Sequence, residues 1–130
     1  MARAEYQPQS LVLMLTDGCN SFCRDCIVDA GPGKSRQLDT ETIDRYLGQA
    51  REFGFEHVII YGGEPFMVNA DKLQHSLHVA FSHGFSVSIG TNGYWGTSEN
   101  RAVTILDELN MLASEYNQNI YLALSVDEYH

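Results

Sequence analysis

Four short apolar runs, set apart by stretches with helical periodicity, constrain this chain more than any other feature. They occupy 10–15 (Ser-Leu-Val-Leu-Met-Leu), 57–61 (His-Val-Ile-Ile-Tyr), 85–90 (Phe-Ser-Val-Ser-Ile-Gly) and 119–125 (Asn-Ile-Tyr-Leu-Ala-Leu-Ser). Runs of this length without strict polar alternation read as strands buried on both faces. Between them, Ile43, Tyr46, Leu47, Ala50 and Phe53 recur at helical spacing, as do Leu73, Leu77, Ala80 and Phe81, then Val103, Leu106, Leu109 and Leu112. Helices are therefore predicted over 40–53, 70–83 and from Ser98 to about Tyr116. Asp39, Asn69 and Ser98 are their N-caps, Gly54 and Gly84 stop the first two, and Leu38 staples onto Ile43. Strands alternating with helices predict an α/β fold with a parallel sheet and right-handed crossovers. Ligands of such sheets bind at the carboxyl ends of the strands. The Gly-rich, polar segments of this chain follow the first three strands.

At 130 residues and 14.6 kDa there is room for one domain, residues 1–130. Eight Lys plus Arg against 17 Asp plus Glu give a net charge of -9, which argues against nucleic-acid and polybasic membrane partners. The run Leu11–Leu15 is too short to span a bilayer, and residues 1–10 lack the apolar core of a signal peptide. A cytoplasmic protein is expected.

All three cysteines, Cys19, Cys23 and Cys26, lie in the polar segment after the first strand. Buried structural cysteines are normally scattered, and an odd number without a secretory signal does not suggest a disulfide framework. Metal binding is the stronger reading. Structural zinc asks for four ligands, and His57, the nearest histidine in sequence, opens a strand. Three thiolates on an iron–sulfur cluster leave one iron for a cofactor or substrate, and the spacing differs from the four-cysteine ferredoxin runs. The later Gly31-Pro32-Gly33-Lys34-Ser35 is loop chemistry without the full Walker spacing.

The cysteine spacing after strand one, followed by Gly62-Gly63-Glu64-Pro65 after strand two, resembles the radical S-adenosylmethionine superfamily. The resemblance runs over essentially the whole chain and implies a partial (β/α) barrel of about four strands and three helices. It implies a 4Fe–4S cluster on Cys19, Cys23 and Cys26, with S-adenosylmethionine on the fourth iron. Gly62, Gly63, Glu64 and Pro65 are similar to the segment that receives the methionine amino group, and Ser125 to a position contacting ribose or carboxylate. Asn92 is a weaker candidate of that kind. Glycines there let a ligand approach the backbone, and carbonyls and Glu64 accept hydrogen bonds from an ammonium. The implied reaction is reductive cleavage of the cofactor to a 5′-deoxyadenosyl radical that takes hydrogen from a substrate. That substrate is not legible, peptide modification and enzyme activation being two of the classes open. A reductant such as flavodoxin or ferredoxin is the implied partner.

Two departures stand out. Asp25 occupies the position before the third cysteine, where the family usually carries an aromatic residue near the adenine. The family barrel typically has six strand–helix units, so the chain is expected to be truncated after its fourth strand or completed by a partner chain. The competing reading is a non-catalytic iron–sulfur or zinc-binding module. Tyr94 and Trp95 are read as covering the core edge rather than lining a site.

Overall fold

The structure, a computed structural model, describes residues 10–17 and 36–124. Four strands, β1 (Ser10–Met14), β2 (His57–Tyr61), β3 (Ser86–Thr91) and β4 (Ile120–Leu124), pair in parallel in the order β1-β2-β3-β4. They alternate with helices α1 (Thr40–Glu52), α2 (Ala70–Ser82) and α3 (Glu99–Glu115). Each crossover thus leads to the next strand in space, the order expected of consecutive units of a (β/α) barrel rather than of a doubly wound sheet. Short 3-10 turns, Pro65–Met67 and Tyr94–Thr97, precede α2 and α3.

The predicted caps form as local chemistry dictates. Asp39 Oδ1 accepts from Thr42 N–H at 2.7 Å, Asn69 Oδ1 from Asp71 N–H at 2.7 Å, and Ser98 Oγ from Arg101 N–H at 3.4 Å. The first two helices close the same way. Gly54 and Phe55 return N–H bonds to Arg51 and Ala50, while Gly84 and Phe85 return them to Phe81 and Ala80. Both ends are Schellman motifs, in which the last carbonyls find donors before the chain turns into a strand. Leu38 packs against the core cluster that contains Ile43, as the staple predicts.

The register places Leu13, Ile60 and Ile89 in one row and Val58 beside Val87 in the next, all on the face that the helices cover. Ile43, Leu47, Leu77, Phe81, Leu109 and Leu112 close that core from outside. The inward stripe is narrower than expected. Tyr46, Phe53 (74% exposed), Val103 and Leu106 are exposed because they sit about 70 to 130° around their helices from the centre of the buried stripe. The strands are also not buried on both faces, since Val12 (51% exposed), Met14 and Tyr121 stand out from the sheet. Among the described residues the helices cover one face only, and the other carries Val12, Ile59, Ser88 and Tyr121 in one register row. A cavity of about 550 Å³ lies in the outer layer between α2 and α3, with Leu73, Leu77, Ile105 and Leu109 in its wall. Among the described residues, no helix is long and apolar enough to cross a membrane.

One consequence is measurable in acid. The Thr42 hydroxyl and amide bonded to Asp39 hold its carboxyl below the ordinary value of 3.8. A depressed carboxyl contributes stability that is present above its unfolded value and lost as pH falls through the folded one. Asp39→Ala is expected to lower the thermal midpoint at neutral pH. Its deficit against the parent should shrink in scans taken progressively below pH 3.8.

Candidate functional site

Because all four strands run the same way, their carboxyl ends form one rim. The chain leaves β1 there at Thr16 and Asp17 and returns at Arg36 and Gln37, enclosing the segment that contains the three cysteines. That neck is closely bonded. Thr16 and Gln37 form an antiparallel bridge, Asp17 N–H donates to Arg36 O at 3.1 Å, and Leu38 N–H donates to Leu15 O at 2.9 Å. Thr16 Oγ1 donates to the same Arg36 carbonyl at 2.9 Å. The Asp17 carboxylate accepts from Arg36 N–H at 2.8 Å and from Arg36 Nε at 2.9 Å.

The neck also touches the turn after β2. Leu15 N–H donates to Tyr61 O at 3.1 Å, and Gly63 N–H donates to Thr16 O at 2.7 Å. Gly62 makes this possible. Its φ is +124°, outside the range open to ordinary residues, and a Cβ there would stand 2.5 Å from Thr16 O. Gly62 and Gly63 therefore press the second loop against the root of the first.

Glu64 joins the second loop to the third. Its side chain is fully buried. Oε2 accepts from Phe66 N–H at 3.1 Å and from Thr91 Oγ1 at 2.7 Å, while Oε1 accepts from Asn92 N–H at 2.7 Å. Thr91 Oγ1 in turn accepts from Gly93 N–H at 3.1 Å and Trp95 Nε1–H at 3.2 Å. With both lone pairs of the hydroxyl occupied, its proton has one direction left, toward Glu64. Farther out, the Phe66 and Trp95 rings meet at 5.1 Å, and Tyr94 Oη donates to Phe66 O at 3.1 Å. Arg101 lies over the Tyr94 ring and donates to its hydroxyl. Trp95 is buried in this contact, so the tryptophan covers the core edge as expected.

Below the rim, on the helix-free face, the Tyr61 ring lies across Gly90. A Cβ at Gly90 would stand 2.6 Å from a Tyr61 ring carbon, so glycine is what admits the ring. At the opposite end of β2, His57 Nδ1 and Nε2 pair with the Ser86 and Ser88 hydroxyls at 2.5 and 2.8 Å. Both ring nitrogens are engaged, about 13 Å along the strand from the rim, which makes His57 a poor fourth ligand for a metal held by the cysteines.

Of the residues expected at the site, Gly62, Gly63, Glu64 and Pro65 gather at the rim beside Asn92. Cys19, Cys23, Cys26 and Ser125, like Asp25, lie outside the described residues. Among the described residues there is no cluster of three or more His, Cys, Asp or Glu able to hold a metal ion. Asp17, Arg36, Thr16 and Thr91 were not singled out from sequence. A lone polar residue beside a strand end carries no periodic signal, and partners 19 to 27 positions away are paired only by the fold.

Comparison with known proteins gives this rim a family. A model of the Radical SAM superfamily matches residues 13–130. GTP 3',8-cyclase of Actinobacillus pleuropneumoniae serotype 5b is 36% identical over 96 residues, covering 71% of this chain and 28% of that protein. A threonylcarbamoyladenosine tRNA methylthiotransferase, MtaB, of Aquifex aeolicus is 32% identical over 60 residues, 46% of this chain and 15% of that protein. The chain thus spans little more than a quarter of the length of the cyclase it matches. Among solved structures, Streptococcus suis SuiB bound to S-adenosylmethionine superposes with a TM-score of 0.67 at 21% identity, covering 92% of this chain and 25% of that one. Native anSMEcpe with bound AdoMet superposes with a TM-score of 0.57 at 14% identity, covering 90% of this chain and 44% of that one. The architecture is therefore a partial barrel of the kind found in those structures.

Two substitutions test the rim itself. Glu64→Gln offers one oxygen and one NH2 to three donors, and Thr91 has no lone pair left to accept the new N–H. A loss of about 1 to 3 kcal/mol is expected in denaturant unfolding, the usual result of stranding a buried donor. Gly62→Ala should cost a similar amount, about 1 to 3 kcal/mol, through its positive φ and its collision with Thr16 O. Parent-like midpoints for both would show that the two junctions are not rigid.

Proposed function

Because the chain belongs to the Radical SAM superfamily, we propose that it is the cofactor-binding part of a radical S-adenosylmethionine enzyme. In this reading Cys19, Cys23 and Cys26 hold a 4Fe–4S cluster, and Gly62, Gly63, Glu64, Pro65 and Ser125 hold S-adenosylmethionine. The observation that carries it is the junction at Thr16. Thr16, three residues before Cys19, accepts the Gly63 N–H through its carbonyl, so the strand end that leads into the cysteine segment touches the glycine turn.

The donor set fits the group. Three thiolates leave one iron open, as a cluster that also binds an amino acid cofactor requires. A closed zinc site would need a fourth ligand, and both nitrogens of His57 are already bonded. Cys19, Cys23 and Cys26 would hold the cluster, and the chemistry it would supply is one-electron reductive cleavage of the bound sulfonium to methionine and a 5′-deoxyadenosyl radical able to take hydrogen from a substrate.

The protein's own residues bind and orient. Gly62 is buried against Thr16, while half-buried Gly63 puts no side chain in the way, so that a backbone carbonyl of this turn could accept from the methionine ammonium. The Glu64 carboxylate already receives three donors, and its part is to hold that turn at a set distance from Asn92. In a barrel of this kind the helix-free face lines the interior, so Tyr61, Met14 and Ile59 would wall the space below the cofactor and exclude water. A flavodoxin or ferredoxin would supply the electron, and the cytoplasm, where thiols stay reduced, suits the three cysteines. Further strands, in the same protein or a partner chain, would complete the barrel. A peptide substrate is in keeping with SuiB, whose structure is also known bound to its precursor peptide SuiA.

Anaerobic reconstitution tests the reading. The protein should take up iron and sulfide, lose both when Cys19, Cys23 and Cys26 are changed to Ala, and release 5′-deoxyadenosine from S-adenosylmethionine on reduction. Zinc at one equivalent, or a cluster indifferent to S-adenosylmethionine, would establish the non-catalytic module instead.

A further inference from the structure

We infer that the Asp17 carboxylate is the fastener of a clasp that ties Asp17 to Arg36, the two ends from which the cysteine segment departs, and so a positioning residue for the cluster read there. The inference rests on the cluster reading of Cys19, Cys23 and Cys26. It adds residues that neither cysteine spacing nor the glycine turn identifies.

The geometry separates the parts of the clasp. Asp17 and Arg36 look like a surface ion pair, but their side chains differ sharply in exposure, 88% for Arg36 and 14% for Asp17. A guanidinium so open to water adds little through charge, because solvent and salt screen it. The sheltered carboxylate is different. Its Oδ1 receives the Arg36 backbone N–H at 2.8 Å, while the Arg36 carbonyl receives Asp17 N–H at 3.1 Å and Thr16 Oγ1 at 2.9 Å. Arg36 is therefore gripped through both of its backbone polar groups. Asp17 and Thr16 supply every one of those bonds. The guanidinium is an accessory.

Closing a segment costs conformational entropy whether or not a ligand is present. A neck bonded in this way has met that cost within the fold, so three thiolates drawn from 18–35 need less ordering when the cluster forms. Thr16 adds a second effect. Its carbonyl accepts from Gly63 N–H at 2.7 Å, so the neck is fixed relative to the glycine turn as well as closed on itself.

The test uses the reconstituted full-length protein and follows the rate at which an iron chelator strips the cluster. Circular dichroism confirms that each variant is folded at the assay temperature. Asp17→Ala is expected to lose iron about tenfold faster, at the low end of what supporting residues contribute at metal sites. Asp17→Asn keeps an oxygen for Arg36 N–H and should restore retention to within about twofold of the parent, a rescue set by the kept acceptor. Arg36→Ala keeps the backbone grip and should also stay within about twofold. Should Asp17→Ala fold poorly, Thr16→Val removes one neck bond at nearly constant volume and is expected to speed iron loss measurably. Parent-like retention in folded Asp17→Ala, or in folded Thr16→Val where Asp17→Ala does not fold, overturns the clasp. So does Arg36→Ala as leaky as Asp17→Ala, which would make the ion pair the fastener. A parent protein that takes up no iron at all instead refutes the cluster reading, and is seen before any variant is compared.

Discussion

A carboxylate sealed from water, with no cation beside it among the described residues, must be met by fixed donors, and the shape of the rim follows from how Glu64 is met. Its three donors come from two loops, Phe66 N–H from its own and Thr91 and Asn92 from the one after β3. Desolvating an anion is expensive, and hydrogen bonds in a low-dielectric setting strengthen in compensation. Neither loop can move alone without stranding a charge or a donor. The rim above β2 and β3 therefore behaves as one body, with Thr91 as its hinge pin and Trp95 as its outer wall.

Thr16 extends that body to the first loop. One carbonyl takes the Gly63 N–H, and one hydroxyl closes the neck on Arg36. A parallel sheet brings strand ends to one edge without fixing how their loops meet; single backbone bonds at Thr16 and the absence of a Cβ at Gly62 settle that. The relation between the glycine turn and the strand end that leads into the cysteine segment is in this way a property of the polypeptide before any ligand binds.

Much of this architecture was readable from residues alone. Asp39, Asn69 and Ser98 cap where expected, because capping depends on the residue itself and its next few neighbours. The strand runs are placed to within a residue or two. The errors share a cause. Tyr46, Phe53, Val103 and Leu106 fit a helical period yet fall outside the buried stripe, since periodicity does not report how wide a surface the sheet presents. Val12 and Met14 belong to a wholly apolar run but stand on the face without helices. At the site, Glu64 could be named from its motif while its partner Thr91 could not, because that pairing exists only once α2 has carried the chain back to the sheet.

The glycine one residue before the end of the third strand has its own effect on the helix-free face. With nothing on its Cα, Gly90 leaves room for the Tyr61 ring where a methyl group would stand 2.6 Å from a ring carbon. Any larger residue would have to displace the ring. The place of that ring on the helix-free face is accordingly set by a hydrogen atom, and a one-carbon change at Gly90 would be felt first by Tyr61.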